Sequence, residues 1–278
     1  MPVRVVVTRP ERETRLWGEA LERRGLHVLQ LPLISIQPVA DTAALQEGWR
    51  SASDYTAWMF VSGSAVDHFF AQGPALRAAQ RAFSPTLRMW APGPGTAAAL
   101  MRQGVDRVRI DAALAASAQF DSEALWPVVA VQVGQGSRVL VVRGTDRPLV
   151  DGGEVIADSA APSADSAGFG REWLAQRLVQ AGAVVDFVVA YRRSAPVYDL
   201  QAQHAARIAS RDGSIWLFTS ARAVANLALS LPQQTWSGAR ALVTHARIGH
   251  AAREAGFGVV WESRPSLADV VASIESHA

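Results

Sequence analysis

The chain of 278 residues contains no cysteine. Disulfide bonds, thiolate nucleophiles and cysteine metal sites are therefore excluded, and the composition fits a reducing compartment. Lysine is also absent, because all 27 basic residues are arginine. This absence excludes Schiff-base lysine chemistry and a Walker-type phosphate lysine. Any basic site must consist of guanidinium groups, which suit planar carboxylates and phosphates.

The sequence also lacks a run of roughly 20 apolar residues, which a membrane span would need. Its first residues show no signal-peptide pattern, so we expect a cytoplasmic protein that has no membrane partner. The net charge of +2 is too balanced for a general nucleic-acid binder. With 49% apolar residues, the chain can form two modest domains with real cores.

One plan of strands and helices occurs twice, in residues 1–137 and 138–278. Four segments of the first copy have counterparts in the second, and they occur in the same order. The matched pairs are Val3–Thr8 with Val139–Arg143, Leu21–Gly25 with Leu178–Gly182, Trp58–Val66 with Trp216–Val224, and Thr96–Val105 with Ile248–Phe257. Four pairs in register indicate a duplication.

Each copy alternates apolar, strand-like runs with amphipathic helical patterns. This alternation predicts an α/β protein in which parallel sheets carry helices on both faces. Gly104 and Gly256 each follow a predicted helix and are expected to stop it in the left-handed conformation. Strands are predicted immediately after them, at Val108–Ile110 and Val259–Trp261.

Three segments depart from the repeated plan. Val28–Pro38 and Val184–Pro196 are too long for one internal strand of about five or six residues, so each is expected to end one sheet and then cross to the other lobe. Asp151–Gly170 consists mostly of small and polar residues and shows no hydrophobic periodicity, which predicts a flexible surface insertion. Near residue 120, Asp121 or Ser122 is expected to cap a helix.

The repeated loops follow predicted strands and precede predicted helices. In parallel sheets, ligands bind at the carboxyl ends of strands, where helix N-termini favour anions. We therefore predict an acidic ligand bound between the two copies. The residues predicted to contact it are Thr8, Arg9, Ser62, Gly63, Gly93, Gly95, Thr96, Arg143, Gly144, Thr145, Thr219, Ser220, Ala221, Arg222, Thr244, His245 and Arg247.

Several of these residues have two compatible or competing interpretations. Ser62 and Ser220 could cap a helix, offer a hydroxyl to an anion, or do both. Tyr191 could be a packing residue, or its phenol could donate a hydrogen bond or a proton. His245 and His250 are five residues apart and do not share a helix face, so no metal site is predicted. The remaining histidines are expected to be structural or exposed: His27, His68, His204 and His277.

The segment Gly93–Ala98 fits the dinucleotide fingerprint G-x-G-x-x-A, and Asp111 follows the next predicted strand. Against nucleotide binding, Pro94 stiffens the loop, and the matching loop Thr244–Gly249 lacks these glycines. A nucleotide-dependent α/β enzyme nevertheless stays an alternative. A non-catalytic binding protein for an anionic metabolite is a third.

An ordered set of motifs across nearly the whole chain resembles uroporphyrinogen-III synthases. The motifs are VVVTRPE, WMFVSGSAV, GPGTAAALMRQGV, FDSEAL, VLVVRG, VVAYRR, WLFTSARAV and RPSLADVVASI. The resemblance implies an enzyme that takes hydroxymethylbilane, a linear tetrapyrrole with an acetate and a propionate on every ring. The enzyme would invert ring D and close the macrocycle with loss of water.

The resemblance also implies a site without cofactor or metal. Tyr191 matches the tyrosine that assists departure of the substrate hydroxyl, and the carboxylates would be held largely by backbone N–H groups of the repeated loops. In one place the chain departs from the family, because Ile248 stands where threonine is frequent. The hydroxyl contact expected there is lost or is moved to Thr244 or His245.

The implied fold has two flavodoxin-like lobes, each a parallel sheet flanked by helices, joined by a two-strand linker. Lobe 1 is expected at 1–34 plus 195–278, lobe 2 at 41–187, and the linker at 35–40 and 188–194. A monomer is expected, because both extended crossings are used within the chain. Transient hand-over of substrate from hydroxymethylbilane synthase is a further expectation.

Overall fold

The computed structural model describes residues 3–73, 86–113, 122–146 and 169–277. The chain folds into two compact units: unit 1 comprises Met1–Ile36 with Ser194–Ala278, and unit 2 comprises Gln37–Arg193. The predicted insertion at 151–170 lies, except for its last two residues, outside the described residues, as does the candidate cap Asp121. No helix in the described ranges is long and apolar enough to cross a membrane.

Strands and helices alternate along most of the chain. In chain order the strands are β1 (Arg4–Val7), β2 (His27–Gln30), β3 (Ser35–Pro38), β4 (Ala57–Phe60), β5 (Arg88–Ala91), β6 (Ile110–Ala112), β7 (Arg138–Thr145), β8 (Val184–Ser194), β9 (Ile215–Phe218), β10 (Arg240–Val243) and β11 (Val259–Glu262). The helices are α1 (Glu11–Glu22), α2 (Ala43–Arg50), α3 (Gly63–Ala71), α4 (Pro94–Arg102), α5 (Ser122–Val129), α6 (Phe169–Gln180), α7 (Leu200–Ala209), α8 (Ala221–Ser230), α9 (Ala246–Glu254) and α10 (Leu267–His277).

Unit 1 is built on sheet A, whose strands are parallel and lie in the order β11-β10-β9-β1-β2. Successive side chains of a strand point to opposite faces of its sheet. Val5 and Val7 therefore share one face, where they pack with Leu21 of α1 and Ile274 of α10. Val6 points to the other face and belongs to a core formed with α7, α8 and α9. Both faces of sheet A are thus covered by helices.

Unit 2 is built on sheet B, in the order β3-β8-β7-β4-β5-β6. The pairs from β8 to β6 are parallel, and the sheet is mixed because of its edge strand β3. On one face, Met59 packs with Leu125 of α5 and Leu178 of α6. On the other, the ring of Trp58 meets Phe69 of α3 edge-on, with 5.0 Å between centroids. The prediction of a two-lobed α/β fold with helix-flanked sheets is confirmed.

The two sheets share one strand order. Apart from β3, the order β6-β5-β4-β7-β8 of sheet B repeats the order β11-β10-β9-β1-β2 of sheet A. The sequence pairs follow the same correspondence, because Trp58 lies on β4 and its counterpart Trp216 lies on β9. Sheet A therefore combines two strands of the first copy with three of the second, and sheet B combines four strands of the first copy, including β3, with two of the second.

The two extended segments differ from each other. Residues 28–38 contain the end of β2 in sheet A and all of β3 in sheet B. The second segment, by contrast, forms β8 as one strand of 11 residues, so the expectation that it is too long for a single strand is wrong. β8 stays paired with β7 as far as Arg192 opposite Thr145, which supports its length. β3 and β8 are neighbours in sheet B, and their role as a linker stays a prediction.

The predictions around the edge strands β6 and β11 have different outcomes. Gly104 and Gly256 have φ of 87° and 92°, so the predicted left-handed helix stops are confirmed. The strand predicted at Val259–Trp261 is confirmed as β11. The strand predicted at Val108–Ile110 is wrong in its bounds, because a 3-10 turn at Arg107–Arg109 precedes β6. The Asp106 carboxylate causes this turn by accepting a hydrogen bond from Val108 N.

Candidate active site

Each sheet has one place where the loops at the carboxyl ends of two neighbouring strands diverge. In sheet B the chain continues from β4 toward β5 and from β7 toward β8, in opposite directions. In sheet A it continues from β9 toward β10 and from β1 toward β2. Such a switch point leaves a crevice that commonly binds ligands. In unit 2 the loops beside this point carry Ser62–Gly63 and Arg143–Thr145. In unit 1 the loops beside its own switch point carry Thr8–Arg9 and Thr219–Ser220.

The structure brings Tyr191, Gly144 and Ser62 together at the switch point of sheet B. Tyr191 lies on β8 directly opposite Gly144 of β7. Its ring packs on the glycine so closely that an added Cβ would contact Cζ and lie 2.5 Å from Cε2. The phenol therefore extends across β7 toward β4, and Tyr191 Oη lies 3.0 Å from Ser62 Oγ. The side chain of Tyr191 is 3% exposed, so it is held in one orientation.

Ser62 is the N-cap of α3. Its backbone is extended, with φ of −165° and ψ of 166°, and its Oγ accepts a hydrogen bond from Ala65 N at 3.2 Å. The predicted capping role is thereby confirmed for Ser62. Ser220 occupies the same position at the start of α8 but makes no side-chain cap hydrogen bond. The duplicated serines therefore differ in what their hydroxyl groups do.

His68 is part of this cluster, although the sequence indicated only a structural or exposed histidine. Its ring lies nearly parallel to that of Tyr191, with 5.8 Å between centroids and 26° between planes. Burial lowers the pKa of His68 below its usual value, and the nearby Asp67 carboxylate opposes this shift. No sequence motif marks the contact, because the two rings belong to segments that are remote along the chain.

The lowered pKa of His68 predicts that stability decreases at acidic pH. The unfolded state, with a histidine pKa near 6.5, binds the proton more readily than the folded state does. The contribution of His68 is therefore intact above about pH 6.5 and is lost as the pH falls toward the lower folded-state value. Urea unfolding of wild type and His68→Gln at several pH values between about 7.5 and 5 measures how much unfolding free energy each protein loses. We expect the wild type to lose more stability over that interval; equal losses would contradict the prediction.

The first turns of α3 and α4 lie side by side in unit 2. Gly93 is the N-cap of α4, Pro94 is its first residue, and Thr96 is buried. A Cβ added at Gly63 would lie 3.6 Å from Ala99 Cβ and 3.9 Å from the Gly95 carbonyl oxygen, whereas one added at Gly95 would meet nothing within 4 Å. The space beside the Gly95 Cα is therefore open.

The nucleotide alternative depends on Asp111 as well as on Gly93–Ala98. In a dinucleotide site the acidic residue after the next strand binds the ribose. Here both carboxylate oxygens of Asp111 accept hydrogen bonds from Arg88, at 2.8 Å from Nε and 2.6 Å from Nη2. This pairing also raises the pKa of Arg88. Asp111 is thus used within sheet B, and the geometry does not favour nucleotide binding.

Arginines gather where β7 and β8 end. The guanidinium of Arg143 lies over the ring of Phe187, 4.9 Å from its centroid. Arg192 donates to Gln37 Oε1 at 2.9 Å, and Arg193 Nε lies 2.8 Å from Asp146 Oδ1. This end of unit 2 is rich in guanidinium groups. Thr145, another predicted contact residue, pairs with Arg192 in the same ladder.

In unit 1 the loop after β1 is largely engaged in structural contacts. Thr8 is 1% exposed, and its hydroxyl donates to the Leu217 carbonyl oxygen at 2.7 Å. Arg9 Nε lies 2.8 Å from Glu13 Oε2, and its guanidinium stacks over Trp17 at 4.6 Å. The Thr8 hydroxyl therefore serves the contact between β1 and β9. The Thr8 carbonyl oxygen also accepts a hydrogen bond, from Leu33 N at 3.1 Å, and the ligand contact of Thr8 stays a prediction.

The loops after β9 and β10 present two further helix starts. Thr219, Ser220 and Ala221 are partly exposed at the start of α8, and Arg222 is exposed. Thr244 is partly exposed, and its backbone N–H donates to the Phe218 carbonyl oxygen at 3.2 Å. Helix N-termini of this kind favour anions through their unpaired N–H groups.

At the start of α9, His245 and Ile248 have different roles. Ile248 is 5% exposed and belongs to the core under sheet A. The cap of α9 is His245, whose Nδ1 accepts a hydrogen bond from Arg247 N at 3.0 Å. In the neutral ring the proton must then lie on Nε2. Whether the lost hydroxyl contact is moved to Thr244 or His245 stays a prediction.

We expect His245→Ala to lower the free energy of unfolding by about 0.5–2 kcal/mol, because α9 would lose its cap acceptor. His245→Asn supplies an amide oxygen at the same position and should retain most of the stability. Denaturant unfolding of the three proteins measures both effects. An equal loss in the alanine and asparagine variants would show that the imidazole contributes by packing and not as a cap.

The predicted contact residues thus fall into two groups. Unit 2 holds Ser62, Gly63, Gly93, Gly95, Thr96, Arg143, Gly144, Thr145 and Tyr191, and unit 1 holds Thr8, Arg9, Thr219, Ser220, Ala221, Arg222, Thr244, His245 and Arg247. Within the ranges that the structure describes, no three His, Cys, Asp or Glu side chains are grouped as metal ligands.

The family model described as uroporphyrinogen-III synthase HemD matches residues 16–152 and 164–272. Among solved structures, the chain is similar to a mutant uroporphyrinogen III synthase from the extremely thermophilic bacterium Thermus thermophilus. The identity is 16%, the TM-score is 0.53, and the match covers 99% of this chain and 98% of the other. It is also similar to uroporphyrinogen-III synthetase from Helicobacter pylori, with 15% identity, a TM-score of 0.53 and coverage of 99% and 100%. At these identities the two structures establish a shared fold.

Proposed function

Because this chain belongs to the uroporphyrinogen-III synthase family, the cyclizing lyases of heme biosynthesis, we propose that it converts hydroxymethylbilane to uroporphyrinogen III. The reaction comprises inversion of ring D, ring closure and loss of water. The observation that best supports this assignment in the structure is the phenol of Tyr191, held against Ser62 at the switch point of sheet B. The site residues and their roles below are part of this proposal.

The reaction needs positioning more than it needs a strong nucleophile. Loss of the substrate hydroxyl yields a cationic azafulvene, and inversion of ring D passes through a spiro intermediate. Such a substrate is already reactive, so the enzyme must fold it and bias which carbon closes the ring. Positioning and preorganised electrostatics are sufficient for that task. The loops and helix starts of this chain, with their arginines, fit it.

Tyr191 is the residue that assists loss of water in this proposal. The O–H bond of Tyr191 breaks, and its proton joins the hydroxyl oxygen of the substrate. The C–O bond then breaks with its electron pair leaving on water, and the pyrrole nitrogen stabilises the cation. A general acid of this kind must be held in a fixed place. Packing on Gly144 and the hydrogen bond with Ser62 hold the phenol of Tyr191 in that way.

The carboxylates of the substrate would bind at the helix starts. In unit 2 these are the first turns of α3 and α4, where Gly63 and Gly95 have no side chain that would separate a carboxylate from the backbone N–H groups. In unit 1 they are the first turns of α8 and α9, where Arg222 and Arg247 are exposed. Backbone N–H groups and helix dipoles stabilise carboxylates, and guanidinium groups add charge. We further propose a cytoplasmic monomer that receives its substrate by transient hand-over from hydroxymethylbilane synthase.

The product isomer tests the function directly. Freshly made hydroxymethylbilane is supplied to the purified protein without any cofactor, and the isomer is determined by chromatography after oxidation. We expect the type III isomer, whereas the reaction without protein yields type I. Type I as the sole product would refute the synthase assignment. A non-catalytic binding protein would also leave type I, so this result would favour that alternative.

A further inference from the structure

The hydrogen bond between Ser62 and Tyr191 can form in either direction, because either hydroxyl can be the donor. A serine hydroxyl carries one proton and two acceptor lone pairs. Ser62 Oγ already accepts from Ala65 N at 3.2 Å, because it caps α3. Its own proton is available for Tyr191 Oη at 3.0 Å. When Ser62 donates in this bond, the proton of Tyr191 is directed away from Ser62 and can be given to another group.

Two features beside Tyr191 Oη would interact favourably with a negative charge on that oxygen. Ser62 lies at the N-terminus of α3, and this end of a helix carries a partial positive charge. A hydrogen bond donated to a charged oxygen contributes more than one between neutral groups. Helix and serine therefore act in the same direction. Both would stabilise the phenolate that remains when Tyr191 has given up its proton.

The pair of Ser62 and Tyr191 is not part of the repeated plan, because the corresponding positions of the other copy do not form such a pair. Ser220 stands at the corresponding position before α8, but its hydroxyl does not bond to the first turn of that helix. The strand that corresponds to β8 is β2, and the chain beyond β2 continues with Leu31, Pro32 and Leu33. The serine position is duplicated, but the tyrosine is present in one copy only.

We propose that Ser62 is a positioning residue that acts through Tyr191, donating a hydrogen bond to Oη and stabilising the phenolate formed when Tyr191 protonates the substrate hydroxyl. The proposal rests on the proposed function. The Tyr191 O–H bond breaks, the proton and the C–O electron pair leave with water, and the phenolate is balanced by the azafulvene cation. The proton that the substrate releases on ring closure restores the phenol.

The test uses Ser62→Gly, because glycine is nearly as good an N-cap as serine and the extended backbone of residue 62 suits any residue. We expect kcat for type III product to fall about tenfold or more, as for a lost hydrogen bond to a charged group, with KM little changed. Ser62→Thr retains a hydroxyl, so its kcat should stay near the wild-type value. Ser62→Ala, a second variant without a hydroxyl, should reproduce the fall, and urea unfolding establishes that each variant is folded.

A double-mutant cycle decides whether Ser62 acts through the phenol. In a Tyr191→Phe background, Ser62→Gly should cause no further fall in kcat. An equal fall in both backgrounds, or a raised KM with unchanged kcat, would overturn the proposal, because Ser62 would then act on the substrate directly. Failure of Ser62→Thr to keep kcat near the wild-type value would also overturn it. The wild-type isomer is measured first, so a failure of the synthase assignment is recognised before any variant is compared.

Discussion

Replacing Gly144 by alanine is expected to reduce the rate of type III product formation about 100-fold, because a displacement of about 1 Å in a catalytic group can have an effect of that size. The added methyl would contact Tyr191 Cζ and lie 2.5 Å and 2.9 Å from Cε2 and Cε1. These distances are far below van der Waals contact. The ring must therefore move, and the hydrogen bond between Tyr191 and Ser62 cannot stay in place. Steady-state kinetics with isomer analysis measures the loss.

The same substitution is expected to lower the free energy of unfolding by about 1–3 kcal/mol, as overpacking of a core generally does. Gly134→Ala is the matched control in unit 2, because its added Cβ would meet nothing within 4 Å and its φ is not positive. The control should leave both stability and turnover near the wild type. Unchanged turnover in Gly144→Ala would show that the position of Tyr191 does not limit the reaction.

Tyr191→Phe is expected to reduce kcat about 100-fold, the scale on which a general acid contributes, while KM changes little. The variant keeps the ring that packs on Gly144 and removes only the hydroxyl that bonds to Ser62. The free energy of unfolding should therefore fall by only about 1 kcal/mol. Single-turnover measurements with fresh hydroxymethylbilane separate the loss of water from product release.

Tyr198→Phe is the control for the loss of a hydrogen-bonded phenol. Its hydroxyl donates to the Pro32 carbonyl oxygen at 2.7 Å, and burial raises the pKa of Tyr198. This substitution removes one hydrogen bond of a partly buried tyrosine in unit 1, whereas the proposed acid Tyr191 belongs to unit 2. We expect similar destabilisation to that of Tyr191→Phe but wild-type turnover. If Tyr191→Phe also turns over at the wild-type rate, Tyr191 is a packing residue, which was the other interpretation of its sequence position.

The site could be predicted from the sequence where it depends on local patterns. Ser62 follows an apolar run and precedes a helical pattern, so its capping role was predictable and is confirmed. Tyr191 was identified as the aromatic hydroxyl of its segment. Their contact was not predicted, because it requires that β8, β7 and β4 lie side by side and that Gly144 leaves room for the ring between them.

Other features could not be predicted because they depend on packing between remote segments. His68 stacks on Tyr191 because α3 packs against β7, which is the strand paired with β8. The histidine cap of α9 depends on the extended backbone of residue 245, while Ile248 is drawn into the core under sheet A. The length of β8 was misjudged, since strand length is set by the available partner, and β7 stays paired as far as Thr145.

By itself the sequence determined the duplicated plan, the α/β class, the glycine stops at Gly104 and Gly256 and the resemblance to uroporphyrinogen-III synthases. These features follow from periodicity and local backbone preferences, which act over a few residues at a time. Only the tertiary structure decided which strands are neighbours, and hence which side chains meet at the switch points. Strand order is set by long-range burial and pairing, and it is this order that places the phenol of Tyr191 on Ser62.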